Sequence, residues 1–139
     1  MKKIYSLEEL KGIIEEHNRG GERVVLANGC FDLIHVGHIR YLKESKKRGD
    51  VLVVALNSDS SVRNLKGKGR PLLVEKERGE IIASFFFVDY VTFFNEAKVE
   101  KVILALRPHV HAKGSDYSVE TVPERETVKS YGGEIAITG

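Results

Sequence analysis

Gly29-Cys30-Phe31-Asp32-Leu33-Ile34-His35-Val36-Gly37-His38 follows the apolar run Val24-Val25-Leu26-Ala27 and precedes a stretch of helical spacing from Val36 to Lys47. The segment is therefore a strand-to-helix turn. His35 and His38 stand three residues apart, a separation that puts two side chains on one helix face. A helix start also presents unpaired N–H groups and the positive end of a dipole, which suit phosphate. Gly37 between the histidines leaves room for a ligand to approach the backbone. The turn reads as a phosphate site with two titratable donors.

The same alternation continues on both sides of it. Ser6 and Glu9 form a capping box, and Leu7, Leu10, Ile13 and Ile14 follow at helical spacing, giving a first helix that runs to Asn18 and stops at Gly20-Gly21. Val51–Leu56 is a second buried strand. Asn57–Ser60 is a polar loop able to cap a short helix, and residues 66–72, with two glycines and a proline, form a basic loop. Helices are predicted over Glu75–Phe85, Val99–Leu106 and Glu124–Tyr131, with Gly79 weakening the first of these. Strands are predicted over Val88–Phe94, Val110–Ala112 and Glu134–Thr138. Strand and helix thus alternate five strands deep, which predicts a doubly wound parallel α/β sheet with helices on both faces. Ligands in such sheets sit beyond the carboxyl ends of the strands. Three polar segments fall there: 28–38, 57–70 and 113–117.

Size and charge narrow the function. The 139 residues make one domain, 1–139, and the single cysteine offers no disulfide framework, which fits a reducing cytoplasm. No signal peptide is seen, and no apolar run approaches the ~20 residues of a membrane span. The net charge of +2 is uneven. Residues 1–70 carry 14 Lys/Arg against 9 Asp/Glu, and residues 71–139 carry 8 against 11. Arg63, Lys66, Lys68 and Arg70 form the peak, with no acid between Asp59 and Glu75. So compact a cluster suits a polyphosphate better than a nucleic-acid track.

Gly29, Phe31, Asp32, His35, Gly37 and His38 fit the GxFDxxHxGH hallmark of the cytidylyltransferase-like nucleotidyltransferases, which the chain resembles. Asn28–Leu33, Leu56–Asp59, Lys66–Pro71, Val88–Val91 and Lys113–Tyr117 are similar to segments of the bacterial heptose 1-phosphate adenylyltransferases. The likeness runs from about residue 4 to residue 138. It implies a Rossmann-like fold and transfer of AMP from ATP, assisted by Mg²⁺, to D-glycero-β-D-manno-heptose 1-phosphate, a step toward lipopolysaccharide core. It further implies a homodimer with no nucleic acid or membrane partner. His35, His38, Lys66 and Lys68 would be catalytic. Asn28, Gly29, Phe31, Asp32, Gly37, Asn57, Asp59, Arg70, Lys113 and Asp116 would bind nucleotide or phosphate. Relatives are free proteins or fusions to a heptose kinase, and they continue past the last strand into a Ser/Thr-rich segment that contacts the triphosphate. Here the sequence reaches Gly139, so the stand-alone form or an excised half is expected. Ser115 replaces a usual glycine, and His109 and His111 replace other residues.

Several residues have a plainer reading beside the functional one. His35 and His38 would also serve as caps or as zinc ligands, but zinc needs a third and usually a fourth ligand. His109, His111 and Cys30 would supply them only on paper, and a metal site is not expected. The loop lysines are either a lid over phosphates or a solvated turn. Asp32 either holds the His loop or helps to place Mg²⁺, and Asp59 either binds a hydroxyl or caps a helix. Lys113 would reach the phosphates or the sugar phosphate. Phe85-Phe86-Phe87 and Phe93-Phe94 are core or subunit interface rather than a stacking platform. Rival functions are a cytidylyltransferase for an acceptor such as glycerol 3-phosphate, a nucleotide-binding module without turnover, and a fragment of an aminoacyl-tRNA synthetase. Short length and modest charge oppose the last.

Overall fold

The computed structural model describes residues 2–139. Their apolar runs become strands and their 3.6-periodic stretches become helices, in the order α1 (Leu7–Arg19), β1 (Val24–Gly29), α2 (Val36–Lys46), β2 (Val51–Asn57), α3 (Asp59–Lys66), α4 (Glu75–Ala83), β3 (Tyr90–Phe94), α5 (Glu100–Leu106), β4 (Val110–Gly114), α6 (Arg125–Lys129) and β5 (Glu134–Thr138). A short 3-10 turn, Val119–Thr121, precedes α6. The strands form one all-parallel sheet in the order β3-β2-β1-β4-β5. This is the doubly wound sheet expected from the alternation, and the Rossmann-like fold that the family resemblance implies.

Each face of the sheet carries its own core. Val25, Ala27, Leu52, Val54 and Leu56 pack with Leu42 of α2 and Ile82 of α4. Val24, Leu26, Val53 and Ala55 pack with Leu10 and Ile14 of α1, Val102 and Ile103 of α5 and Val128 of α6. β2 is buried along its whole length, which is why its sequence is continuously apolar rather than alternating. The chain start adds a parallel bridge of Ile4 to Val91 beside β3, and this covers an otherwise open edge. No helix among the described residues is long and apolar enough to cross a membrane.

The short helix that the 57–60 segment is able to cap is present over residues 59–66, with Ser58 accepting the Ser61 N–H, and the basic loop starts after Lys66. Two expectations need correction. α4 ends at Ala83, where Ser84 closes it, so Phe85–Phe87 lie in a turn, with Phe87 buried and Phe86 86% exposed. Gly79 is not a weak point: a Cβ there would meet Phe93 Cζ at 2.7 Å, so the missing side chain is what lets α4 lie close against β3.

Candidate active site

The order β3-β2-β1-β4-β5 reverses direction between β1 and β4, the place where such sheets open a crevice. The β1–β4 ladder stops at Ala27 and Ala112, whereas β1–β2 continues to Gly29 and Leu56. A cleft of about 750 Å³ opens at this split. Its walls come from the carboxyl ends of four strands, through Asn28, Asn57, Lys113 and Thr138, and from the start of α2, through His35 and His38.

The two imidazoles sit 4.0 Å apart, centroid to centroid. His35 Nδ1 accepts the Gly37 N–H at 3.0 Å, and His38 Nδ1 accepts the His35 N–H at 3.2 Å. Together they form a capping box built from imidazoles. A neutral imidazole whose Nδ1 accepts must carry its hydrogen on Nε2, so both rings present an N–H donor. Partial burial, reinforced by the charge His35 would carry if protonated and by that of Lys66, holds the His38 pKa below its usual value, so His38 donates as a neutral ring at neutral pH. The expectation of free helix-start N–H groups is thereby revised. The Gly37 N–H is taken by His35, and the imidazoles carry the donor function outward. Gly37 likewise makes room for a ring rather than for a ligand, since a Cβ there would lie 2.8 Å from His35 Cε1.

Phe31 supports this pair from below. It is buried, its ring edge meets His38 at 5.0 Å between centroids, and it stacks on Tyr41 at 6.4 Å. Its φ of +50° is in the left-handed region, a costly conformation for an aromatic residue that is found where surroundings enforce it. Phe31 borders the cleft, but its ring braces His38 instead of offering a free face to a base. Gly29 follows from the same packing, since a Cβ on it would touch Phe31 at 3.0 Å.

Asp32 serves the basic loop. Both carboxylate oxygens accept from the Leu72 N–H, Oδ1 accepts from the Leu73 N–H, and Arg70 Nη1 donates to Oδ2 at 3.1 Å. Burial would raise its pKa, but the Leu73 and Leu72 N–H groups and the Arg70 guanidinium overcome this and hold it below the usual carboxylate range. With its oxygens committed, Asp32 has no place in a phosphate or Mg²⁺ site. The reading that Asp32 holds the His loop is corrected as well, because Asp32 belongs to that turn and ties the 70–73 segment to it. Arg70 is correspondingly turned to Asp32. These contacts of Arg70, Leu72 and Leu73 with Asp32 put the basic segment and the histidines at one rim of the sheet, and the Lys66 charge acts on His38 and Cys30 there. Lys68 is exposed and does not line the cleft. Burial pushes the Cys30 thiol up, which leaves it a poor nucleophile.

Asp59 also has a structural partner, accepting from Arg78 Nη2 at 2.8 Å. Asn57 lines the cleft while donating to Ser61 Oγ. Lys113 lies at the opposite wall, 3.7 Å from Glu124 Oε1 and 4.7 Å above the Tyr117 ring. Asp116 is exposed on the same wall.

Two residues at this end went unnoticed in the sequence. Arg78 is completely buried and donates to the carbonyls of Leu73, Cys30 and Asn57 as well as to Asp59. Its spacing from Ile82, one helical turn on, was the available signal. Tyr41 bridges the split itself. Its hydroxyl donates to the Ala112 carbonyl at 2.6 Å and accepts the Asn28 N–H at 3.3 Å.

The remaining histidines do not join the pair. His109 Nδ1 accepts the Val24 N–H, and His111 Nε2 lies 2.8 Å from Asn28 Oδ1. No three His, Cys, Asp or Glu residues cluster as a metal site among the described residues. Burial, and after it the charge of Lys113, pushes His111 from 6.5 down to about 3. The unfolded ring takes up its proton near 6.5 and the folded ring only near 3, so the unfolded state binds more protons between these values. Stability is then full above about pH 6.5 and falls as acid is added, with a slope of up to ~1.4 kcal/mol per pH unit. Urea midpoints should drop between pH 7 and pH 4.5, His38 adding to the drop, and the drop should be shallower in His111→Leu. An equal slope in both proteins would remove this assignment.

The chain belongs to the cytidylyltransferase-like family of nucleotidyltransferases, whose model matches residues 26–135. Among particular relatives, it is 49% identical over 135 residues to the bifunctional protein HldE of Geobacter metallireducens and 48% identical to that of Pelobacter propionicus. Each alignment covers 97% of this chain but 28% of the relative, so the chain spans little more than a quarter of those proteins. A lipopolysaccharide core biosynthesis protein from Thermoplasma volcanium superposes with a TM-score of 0.69 at 34% identity, covering 84% of this chain and 94% of that one. A pantoate-beta-alanine ligase from Francisella tularensis, solved with a β,γ-ATP compound and beta-alanine, shares the fold at TM-score 0.74 and 16% identity, over 99% of this chain and 66% of that one.

Proposed function

We propose that residues 1–139 form one catalytic unit that transfers the adenylyl group of ATP to D-glycero-β-D-manno-heptose 1-phosphate, releasing pyrophosphate and ADP-heptose. The observation that carries this reading is the paired Nε2–H donors of His35 and His38 at the mouth of the cleft. The likeness to the bifunctional HldE proteins and to a lipopolysaccharide core biosynthesis protein directs the choice of acceptor.

An oxygen of the sugar phosphate attacks the α-phosphorus of ATP, a new P–O bond forms, and the bond to the β-phosphate oxygen breaks. Both reactants are anions, so catalysis consists of holding them in line and neutralising the charge that builds on the phosphoryl oxygens. His35 and His38 donate to those oxygens. Lys66 and Lys68 close over the departing pyrophosphate, and Lys113 steadies the phosphates from the opposite wall. Asn57 and Asp116 complete the nucleotide contacts. Mg²⁺ would be held by the triphosphate rather than by a carboxylate of this chain and would supply further charge neutralisation, since the Asp32 carboxylate is fully engaged. A cytoplasmic homodimer completes the reading, with Phe86 and Ile81 supplying exposed apolar surface.

Pyrophosphate release measured with ATP or CTP, each against heptose 1-phosphate and glycerol 3-phosphate, decides the matter. Turnover only with CTP and glycerol 3-phosphate would replace this function with the second reading that the family name suggests. ATP binding without turnover on any acceptor would reduce the chain to a binding module. Lys66→Ala combined with Lys68→Ala is expected to raise the ATP concentration for half-maximal rate severalfold, with a smaller change in kcat. An unchanged ATP dependence would sink the lid role.

A further inference from the structure

Asn28 is gripped from both faces of the sheet, one residue beyond the point where the β1–β4 ladder ends. From one face Tyr41 accepts its backbone N–H. From the other, His111 Nε2 meets its side-chain oxygen at 2.8 Å. His111 is completely buried, takes no part in the chemistry above, and leaves Nδ1 without a partner. That orphan atom fixes the tautomer. A buried N–H without an acceptor is rarer than an acceptor without a donor, so the ring hydrogen is on Nε2 and is donated to Asn28 Oδ1. The low pKa of about 3 keeps the ring neutral, with a single hydrogen to give. Asn28 must then present its NH₂ away from His111. It lines the cleft, and that NH₂ makes no hydrogen bond among the described residues.

We propose that His111 is a positioning residue, which from beneath the cleft floor locks the Asn28 amide so that its NH₂ donates to an oxygen of the bound nucleotide. Without the lock the amide flips, and its carbonyl oxygen faces the electron-rich ligand as often as its donor does. The inference rests on the ATP reading above, but its test needs no acceptor sugar.

Calorimetric titration with ATP and thermal melting would be run on the wild type, His111→Leu, His111→Gln, Asn28→Ala and the His111→Leu/Asn28→Ala double variant. His111→Leu should weaken ATP binding three- to tenfold, the loss expected for one misdirected hydrogen bond. Its melting temperature should hold or rise, because the orphaned Nδ1 is gone. His111→Gln, which brings a side-chain N–H to the same place, should recover most of the affinity. The double variant should bind no worse than Asn28→Ala alone, as two residues acting through one contact require. Unchanged ATP affinity in His111→Leu, or additive losses in the double variant, would overturn the proposal. So would a fall in melting temperature shared by the Leu and Gln variants, which would make His111 a core residue only. A wild type that binds ATP but makes no nucleotide sugar removes the acceptor and leaves His111 under test. A wild type that does not bind ATP removes both.

Discussion

His38→Ala should lower turnover by ~10²–10³, the usual loss when one preorganised donor to a developing oxyanion is removed. The expectation comes from the proton inventory of the turn. His38 spends Nδ1 on the His35 N–H, so its chemistry resides in Nε2–H, and burial keeps the ring neutral and ready to donate. Alanine removes both the cap and the donor. The cap alone is worth ~1 kcal/mol of stability, and His38→Asn separates the two roles. The Asn side-chain oxygen reaches about where Nδ1 sits and keeps the cap, but nothing reaches the place of Nε2. His38→Asn should therefore melt like the wild type and turn over as slowly as His38→Ala. A rate within threefold of the wild type in either variant would show that the ring does not touch the reacting phosphate.

This distinction was out of reach of the sequence, and the reason is instructive. Spacing of three residues told that His35 and His38 share a helix face, and five strands alternating with helices told that the face lies at the carboxyl edge of a parallel sheet. Both statements depend on periodicity, which local sequence carries. Which lone pair turns to the backbone depends on χ angles settled by packing, and no spacing rule contains it. Gly37 is the clearest case, because its missing side chain was credited to a ligand when the His35 ring occupies the space. Asp32 is another, since a carboxylate beside two histidines looks catalytic until Leu72 and Leu73, forty residues on, bring their N–H groups to it. Tyr41 stayed hidden for the same reason, as did the contact that His111 makes. An apolar position on a helix and a central position on a short strand give no sign that their polar atoms meet at Asn28 from opposite faces.

Arg78→Ala should be the most destabilising single change at this end of the molecule, with a loss of ~3–5 kcal/mol. In the sequence the residue sits in the charged run Glu75-Lys76-Glu77-Arg78, and arginine is seldom fully buried without partners. Here its partners come from four separate segments. The guanidinium donates to Cys30 after β1, Asn57 at the end of β2, Leu73 at the base of the basic loop and Asp59 at the start of α3. Alanine leaves three carbonyls and a carboxylate turned toward a cavity from which the positive charge has gone, and each unpaired acceptor costs more than the lost bond. Lysine keeps the charge but is a single point on a flexible stem, and it has no fork to span four acceptors. Arg78→Lys should therefore recover part of the urea midpoint and little of the ATP affinity, because the basic loop that follows Lys66 loses its anchor at Leu73. A Lys variant that restores both equally would show that charge alone, not the planar geometry of the guanidinium, holds these four segments together.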